Sequence, residues 1–208
     1  MCRLQRIRLL LGSCVLATVA ACGTTPGAPR AARVEIEQSV GFTITEEARI
    51  GTEVRTDYDH ALELLRQGNV DEGIRLLEVV ADKAPQLSAP RIDLGTAWHR
   101  LGDLEAAEKH LKLALEINPE HPVALNELGI VYRKTARFAE ARQSYEAALR
   151  FYPGFHFARR NLGVLCDLYL DDLACALDNY EAYMASVNSD FEAELWLKNV
   201  RFRMGKPE

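Results

Sequence analysis

Most of the groups that would mark an enzyme are missing from this chain of 208 residues. Its five histidines are dispersed as His60, His99, His110, His121 and His156, with no H-x-x-x-H pair among them. A metal centre needs three or four convergent donors, so no metal is expected. There is no G-x-S-x-G, no phosphate-binding loop and no G-x-G-x-x-G. The acid pairs Glu46-Glu47 and Asp171-Asp172 fall at a helix start and a turn, where solvation and the helix dipole favour them. The chain therefore reads as a non-enzyme without a cofactor. A basic excess is also lacking. The net charge is -5, whereas nucleic-acid-binding domains carry surplus cations, so no nucleic acid is expected. Prolines are few, and several stand at evenly spaced breaks. The apolar run Leu9 to Val19 is too short to cross a bilayer comfortably.

What is present begins with an unusual N-terminus. Arg3, Arg6 and Arg8 precede that apolar run, and Val19-Ala20-Ala21-Cys22 follows it. A basic, apolar, small-residue order reads as a secretory signal peptide over 1–21. The cysteine placed directly after the small residues resembles the lipobox of bacterial lipoproteins. That resemblance implies cleavage before Cys22 and lipidation, including palmitate, of Cys22. Gly23 at the next position, by the lipoprotein sorting rule, implies the outer membrane, facing the periplasm. Residues 22–44 would be the lipidated cysteine with a flexible tether and arm. GTTPGAPRAAR carries the small and Pro/Gly residues of a linker, and Val34 to Ile44 reads as a short extended arm.

The rest of the chain is periodic. Leu94-Gly95 recurs as Leu128-Gly129 and as Leu162-Gly163, and Pro85, Pro119 and Pro153 keep the same step of 34. This period, with its motif, resembles the tetratricopeptide repeat (TPR) family, whose unit is a helix–turn–helix. The resemblance implies an all-α helical-repeat solenoid of about four helix pairs over 45–187, divided as 45–87, 88–121, 122–155 and 156–187. A C-terminal capping helix over 188–208 would cover the open end with a polar face. Thr43-Ile44-Thr45-Glu46 offers a capping box for the first helix. Packing residues at the repeat positions are Leu94, Gly95 and Ala107, then Leu128, Gly129 and Ala141, then Leu162, Gly163 and Ala176. Ala176 comes one residue late, so an insertion is expected at Leu170-Asp171-Asp172.

Two cysteines remain in the repeats. On one straight helix Cys166 and Cys175 would be about 13.5 Å apart, too far to bond. A turn between them would set them on facing helices. A disulfide and a pair of buried small apolar side chains both fit.

Family resemblance also implies a binding face. TPR arrays use the concave side lined by first helices, which here carries Tyr58, Leu62, Leu65 and Arg66, then Ile92, Thr96, His99 and Arg100. Next come Asn126, Ile130, Arg133 and Lys134, and finally Phe157, Arg160, Val164 and Asp167. Arg66, Arg100, Arg133, Lys134 and Arg160 recur at similar heights. That pattern fits either a basic groove for an acidic or C-terminal peptide segment or solvated helix ends. The carboxylate clamp of some TPR co-chaperones is absent, since Tyr58, Leu62, Ile92 and Thr96 occupy its positions. The expected function is a lipid-anchored scaffold or adaptor binding a protein partner in the bacterial envelope. Type IV pilus assembly and TonB-type energised transport are plausible settings. A non-catalytic subunit or regulator of an envelope enzyme, and a self-associating spacer, are the alternatives.

Overall fold

The structure is a computed structural model, and it describes residues 33–37, 41–45, 50–187 and 189–206. The expected signal peptide, Cys22 and the tether up to residue 32 lie outside the described residues.

Two strands come first. β1 (Arg33–Glu37) pairs antiparallel with β2 (Gly41–Thr45), Val34 opposite Ile44 and Ile36 opposite Phe42. This corrects the proposed helix start: Thr43 and Thr45 belong to a strand, and the array begins at Thr52 rather than at 45. RVEIE and GFTIT alternate with a period of two and are rich in β-branched residues, which suits a ribbon better than a cap.

From there the chain is all helix: α1 (Thr52–Arg66), α2 (Val70–Lys83), α3 (Ala89–Leu101), α4 (Leu104–Ile117), α5 (Pro122–Lys134), α6 (Phe138–Phe151), α7 (His156–Leu168), α8 (Leu173–Met184) and α9 (Phe191–Arg203). Odd and even helices pair within a repeat, and each even helix packs on the next odd one. Local chemistry places the boundaries. Pro90 and Pro122 occupy first turns, where no amide donor is needed. Asp103, Asp172 and Asp190 cap α4, α8 and α9 by accepting from the amides of Ala106, Cys175 and Ala193. The turns inside the first three repeats need a left-handed residue, supplied by Gly68 (φ 85°), Gly102 (φ 86°) and Ala136 (φ 58°). In the fourth repeat that conformation moves to Asp171 (φ 50°), one residue late, which is where the insertion is absorbed.

The repeat residues make the core. Leu94, Ala107, Leu128, Ala141, Leu162 and Ala176 are all buried. Closeness at the glycines is set by one large side chain rather than by the small residues facing them. A Cβ built on Gly95 would lie 2.5 Å from Leu111 Cγ, and one on Gly129 would lie 2.5 Å from Tyr145 Cε1. On Gly163 it would lie 2.6 Å from Tyr180. Leu111, Tyr145 and Tyr180 thus lie directly over a glycine backbone. The first repeat inverts this arrangement. Its glycine, Gly73, is on the second helix and receives Leu65 from the first.

The last helix differs from the expected cap. Ala193 and Val200 are buried, and Trp196 packs against Tyr180 with ring centroids 5.7 Å apart. The outward side, however, carries Phe191, Leu195 and Phe202, all exposed. The polar outer face expected from Lys198, Arg201 and Arg203 does not form. Their angular positions put Arg201 and Arg203 beside acids of α8 and α7 instead.

Candidate functional site

First helices α3, α5 and α7 lie side by side along one face, and Tyr58 of α1 reaches Asp93 of α3 on the same side. Two cavities open between them, and their walls include some of the residues expected on that face. The larger, of about 470 Å³, lies between α1 and α3. Leu62, Leu65, Val70, Ala97 and Leu101 make it apolar, while Arg66, Arg100, Asp93 and Thr96 supply polar edges. The smaller, of about 350 Å³, lies between α5 and α7, with Val123, Ile130, Phe155 and Phe157 as its apolar lining. Asn126, Glu127, Arg160 and Asn161 are its polar members.

A simple basic groove is not what the side chains form. Arg66 pairs with Glu63 at 2.9 Å on its own helix. Arg160 reaches Glu192 at 3.3 Å and Asp190 at 3.8 Å, and its guanidinium lies 4.9 Å from the Trp196 ring. Arg133 donates to the Tyr169 hydroxyl at 3.5 Å and lies over that ring. Lys134 and Arg100 are exposed. Two of the other expected residues turn away from the face: Ile92 is buried against Ala114 and Ala124. Asp167 is buried, accepting from Tyr180 at 3.5 Å and paired with Arg203.

Partly buried acids form the polar edge of this face. Asp93 and Glu127 occupy the same repeat position one period apart, with Asp59 before and Asn161 after. Burial raises the Asp93 carboxyl to about 6, against the opposing pull of Arg100 and of the Tyr58 hydroxyl, which donates to it at 2.5 Å. Burial likewise raises Glu127, opposed by the Asn126 amide and by Arg100. Asn126, itself buried, donates to Glu127 at 3.3 Å and accepts from Asn161 at 2.9 Å. His99 Nδ1 stands 3.9 Å from Glu127. Burial, then Lys134, Arg100 and Arg133, lower the His99 pKa, so at neutral pH this is a polar contact with a neutral ring. The signal for these acids was the 34-residue step itself. Asp93, Glu127 and Asn161 each stand directly before the leucine of a Leu-Gly pair.

Cys166 and Cys175 are brought together at the α7–α8 turn. Their sulfurs are bonded, with Cα atoms 5.9 Å apart. Asp172 lies close enough to complete a three-donor cluster. Its carboxylate, however, caps α8 and accepts from Arg142 at 3.2 Å, and with the sulfurs bonded the group acts as a cross-link rather than a ligand set.

A stacked array of helix pairs presenting a face of pockets defines a class, the helical-repeat solenoids, whose extended surfaces bind other chains. Residues 86–154 match the tetratricopeptide-repeat family model. Over these residues the chain is similar to tetratricopeptide-repeat proteins. Curated relatives include anaphase-promoting complex subunit CDC16 of Saccharomyces cerevisiae, 29% identical over 83 residues. Another is the photosystem I assembly protein Ycf3 of Synechococcus sp., 30% identical over 96 residues. These alignments cover 40% and 46% of this chain, but only 10% of CDC16 and 50% of Ycf3. Among solved structures, MamA of Desulfovibrio magneticus RS-1 superposes with a TM-score of 0.66 at 21% identity, over 76% of this chain and 89% of that one. For pilF of Pseudomonas aeruginosa the TM-score is 0.67 at 18% identity, over 74% and 69%. The first TPR domain of Spaghetti, bound to the HSP90 peptide SRMEEVD, gives 0.55 at 19%, over 58% and 97%. At these identities the likeness is one of fold.

Proposed function

We propose that this chain is a lipid-anchored scaffold or adaptor of the bacterial cell envelope. It holds an extended segment of a protein partner along the first-helix face and has no catalytic role of its own. The observation that carries the binding reading is the cavity between α1 and α3, apolar on its walls and edged by Arg66 and Arg100. With Asp93 and Glu127 interleaved among the arginines, the segment it fits is amphipathic rather than uniformly acidic. Apolar side chains enter the two pockets, while charges of both signs meet the edges.

The anchor rests on the sequence alone, on the order of basic, apolar and small residues ending at Cys22. Several acyl chains on one residue hold a protein firmly, each buried methylene adding about 0.8 kcal/mol. Type IV pilus assembly and TonB-type transport are the settings in which such an adaptor would serve. Regulation of an envelope enzyme as its non-catalytic subunit is the alternative.

Crosslinking in the native envelope with mass spectrometry tests the binding face. Leu62→Glu together with Leu101→Glu should lose the partners captured by the unaltered chain while keeping its helical circular dichroism. Retention of the same partners would remove the face from consideration. Palmitate labelling tests the anchor separately: Cys22→Ser should abolish incorporation, and unchanged labelling would refute it.

A further inference from the structure

We propose that Asp93 is a specificity residue of the first-helix face, holding a lysine or arginine side chain of the partner segment in the cavity between α1 and α3, and that Glu127 holds a second one. The inference rests on that face being the binding face and adds the sign of charge that its cavities select.

Asp93 lines a cavity whose walls are mainly aliphatic, with Leu62, Leu65, Val70 and Leu101 around it. Tyr58 donates to its Oδ2 at 2.5 Å. Among the described residues its Oδ1 accepts from no donor, and neither oxygen takes part in an ion pair. Arg100 acts on it through space from seven residues further along α3, about 10 Å by helical rise. The charge is therefore kept in this wall against the interest of the fold. Burial raises the carboxyl to about 6, so at neutral pH it is largely ionised in surroundings that favour the acid form. The same repeat position carries a neutral amide in the fourth repeat, Asn161, which donates to Asn126 at 2.9 Å. A neutral residue thus suits the array, and the carboxylate at Asp93 has its use outside the fold. An acid retained in a cavity wall at the expense of stability marks a recognition site.

A basic side chain answers that chemistry. Its methylene stem lies along the aliphatic wall, and its cationic head makes a charge-assisted hydrogen bond to the open oxygen. Glu127 repeats the arrangement one period on. It lines the second cavity beside Val123, Ile130 and Phe157, burial raises its carboxyl, and Asn126 donates to one of its oxygens at 3.3 Å. Helices α3 and α5 are in contact, so the two acids, at equal height, are separated by about one helix spacing, roughly 8–10 Å. An extended chain covers that distance in about three residues. The partner segment therefore carries two basic residues about three positions apart, with apolar neighbours. Arg100 and Lys134 each stand seven residues after these acids. They form a separate band, about two helical turns away.

Selection of a randomised phage-displayed peptide library on the purified full chain tests this. Selected peptides are expected to carry lysine or arginine at about three-residue spacing beside apolar residues. Fluorescence anisotropy with such a peptide at pH 7.5 should show binding about tenfold weaker for Asp93→Asn and a smaller loss for Glu127→Gln. Asp93→Asn is expected to melt no lower than the unaltered chain at that pH, so unfolding does not explain its loss. Glu105→Gln removes the same charge from an exposed position on α4 and should leave binding unchanged. Selected peptides without basic residues overturn the proposal, as does an affinity that Asp93→Asn leaves unaltered. An equal loss with Glu105→Gln would mean general attraction to an acidic protein and overturns it too. If the selected peptides still need Leu62 and Leu101, the first-helix face stands and only the charge assignment falls. Peptides indifferent to Leu62→Glu with Leu101→Glu, or a library that yields no binder, remove both.

Discussion

The second and fourth repeats solve the same packing problem with different parts. In α3–α4, Gly95 lies under Leu111, the turn is a left-handed Gly102, and Asp103 caps the next helix. In α7–α8, Gly163 lies under Tyr180, the left-handed residue is Asp171, Asp172 is the cap, and a disulfide joins the two helices. The seating of a large side chain over a glycine is common to both and sets the repeat. Turn and fastening vary, because a surface turn can take one more residue without disturbing the seam. The fourth repeat also bears the array's end, where Arg203 ties α9 to Asp167 and Asp171.

That comparison can be broken at the glycines. Valine at either Gly95 or Gly163 places a Cβ under 3 Å from a buried side chain, and overpacking of this kind costs about 3 kcal/mol. Denaturant unfolding should show the larger loss at Gly163, since the Tyr180 ring is stiffer than Leu111. Equal losses would show that ring and leucine yield alike.

The fastening comes next. Replacing Cys166 and Cys175 with alanine reopens a short loop, and the chain-entropy estimate for closing one is about 2–3 kcal/mol. Thermal melts should show this loss, and reductant should lower the unaltered chain towards the double variant. A melt indifferent to reductant would mean that the turn is held without the bond.

The polar position beside each leucine gives a smaller and pH-dependent effect: Asp93 in the second repeat, Asn161 in the fourth. Asp93 moves from an ordinary 3.8 to about 6 on folding. The folded state therefore holds its proton more tightly, and the associated stability is fully present below pH 4. It is lost as the pH rises through 6. Asp93→Asn copies the fourth repeat and should stabilise the protein by about 2 kcal/mol at pH 7.5, with little change at pH 4. A gain independent of pH would indicate packing instead of charge.

The least effect is expected at the turns. Gly102→Ala forces an L side chain into the left-handed region and should cost about 1 kcal/mol. Ala136→Gly in the third repeat should return a similar amount, read from paired chemical denaturation curves.

The 34-residue step made the helix pairs legible because packing between neighbouring repeats demands the same residue at the same height each time. It also placed residues on the first-helix face, of which Leu62, Leu65, Arg66, Thr96 and Arg100 line one cavity while Tyr58, Ile92 and His99 do not. The charge of that face was not legible. Whether Arg160 is available depends on Glu192 and Asp190, which lie some thirty residues away in sequence and meet it only once α9 packs on α8. The same holds for the acids. Asp93 and Glu127 look like surface carboxylates in the chain and are partly covered only by the adjacent repeat.

By itself, then, the sequence determined a repeating array of helix pairs, the closeness of those pairs at Gly95, Gly129 and Gly163, and the extra residue near Asp171. Each follows from local spacing, which neighbouring helices translate directly into contact. Tertiary structure alone decided that Cys166 meets Cys175, that Arg66, Arg133 and Arg160 of the first-helix face are already engaged, and that α9 turns Phe191 and Phe202 outward. These depend on which side of a helix its neighbour covers. A chain of residues specifies that only when the neighbour is in place.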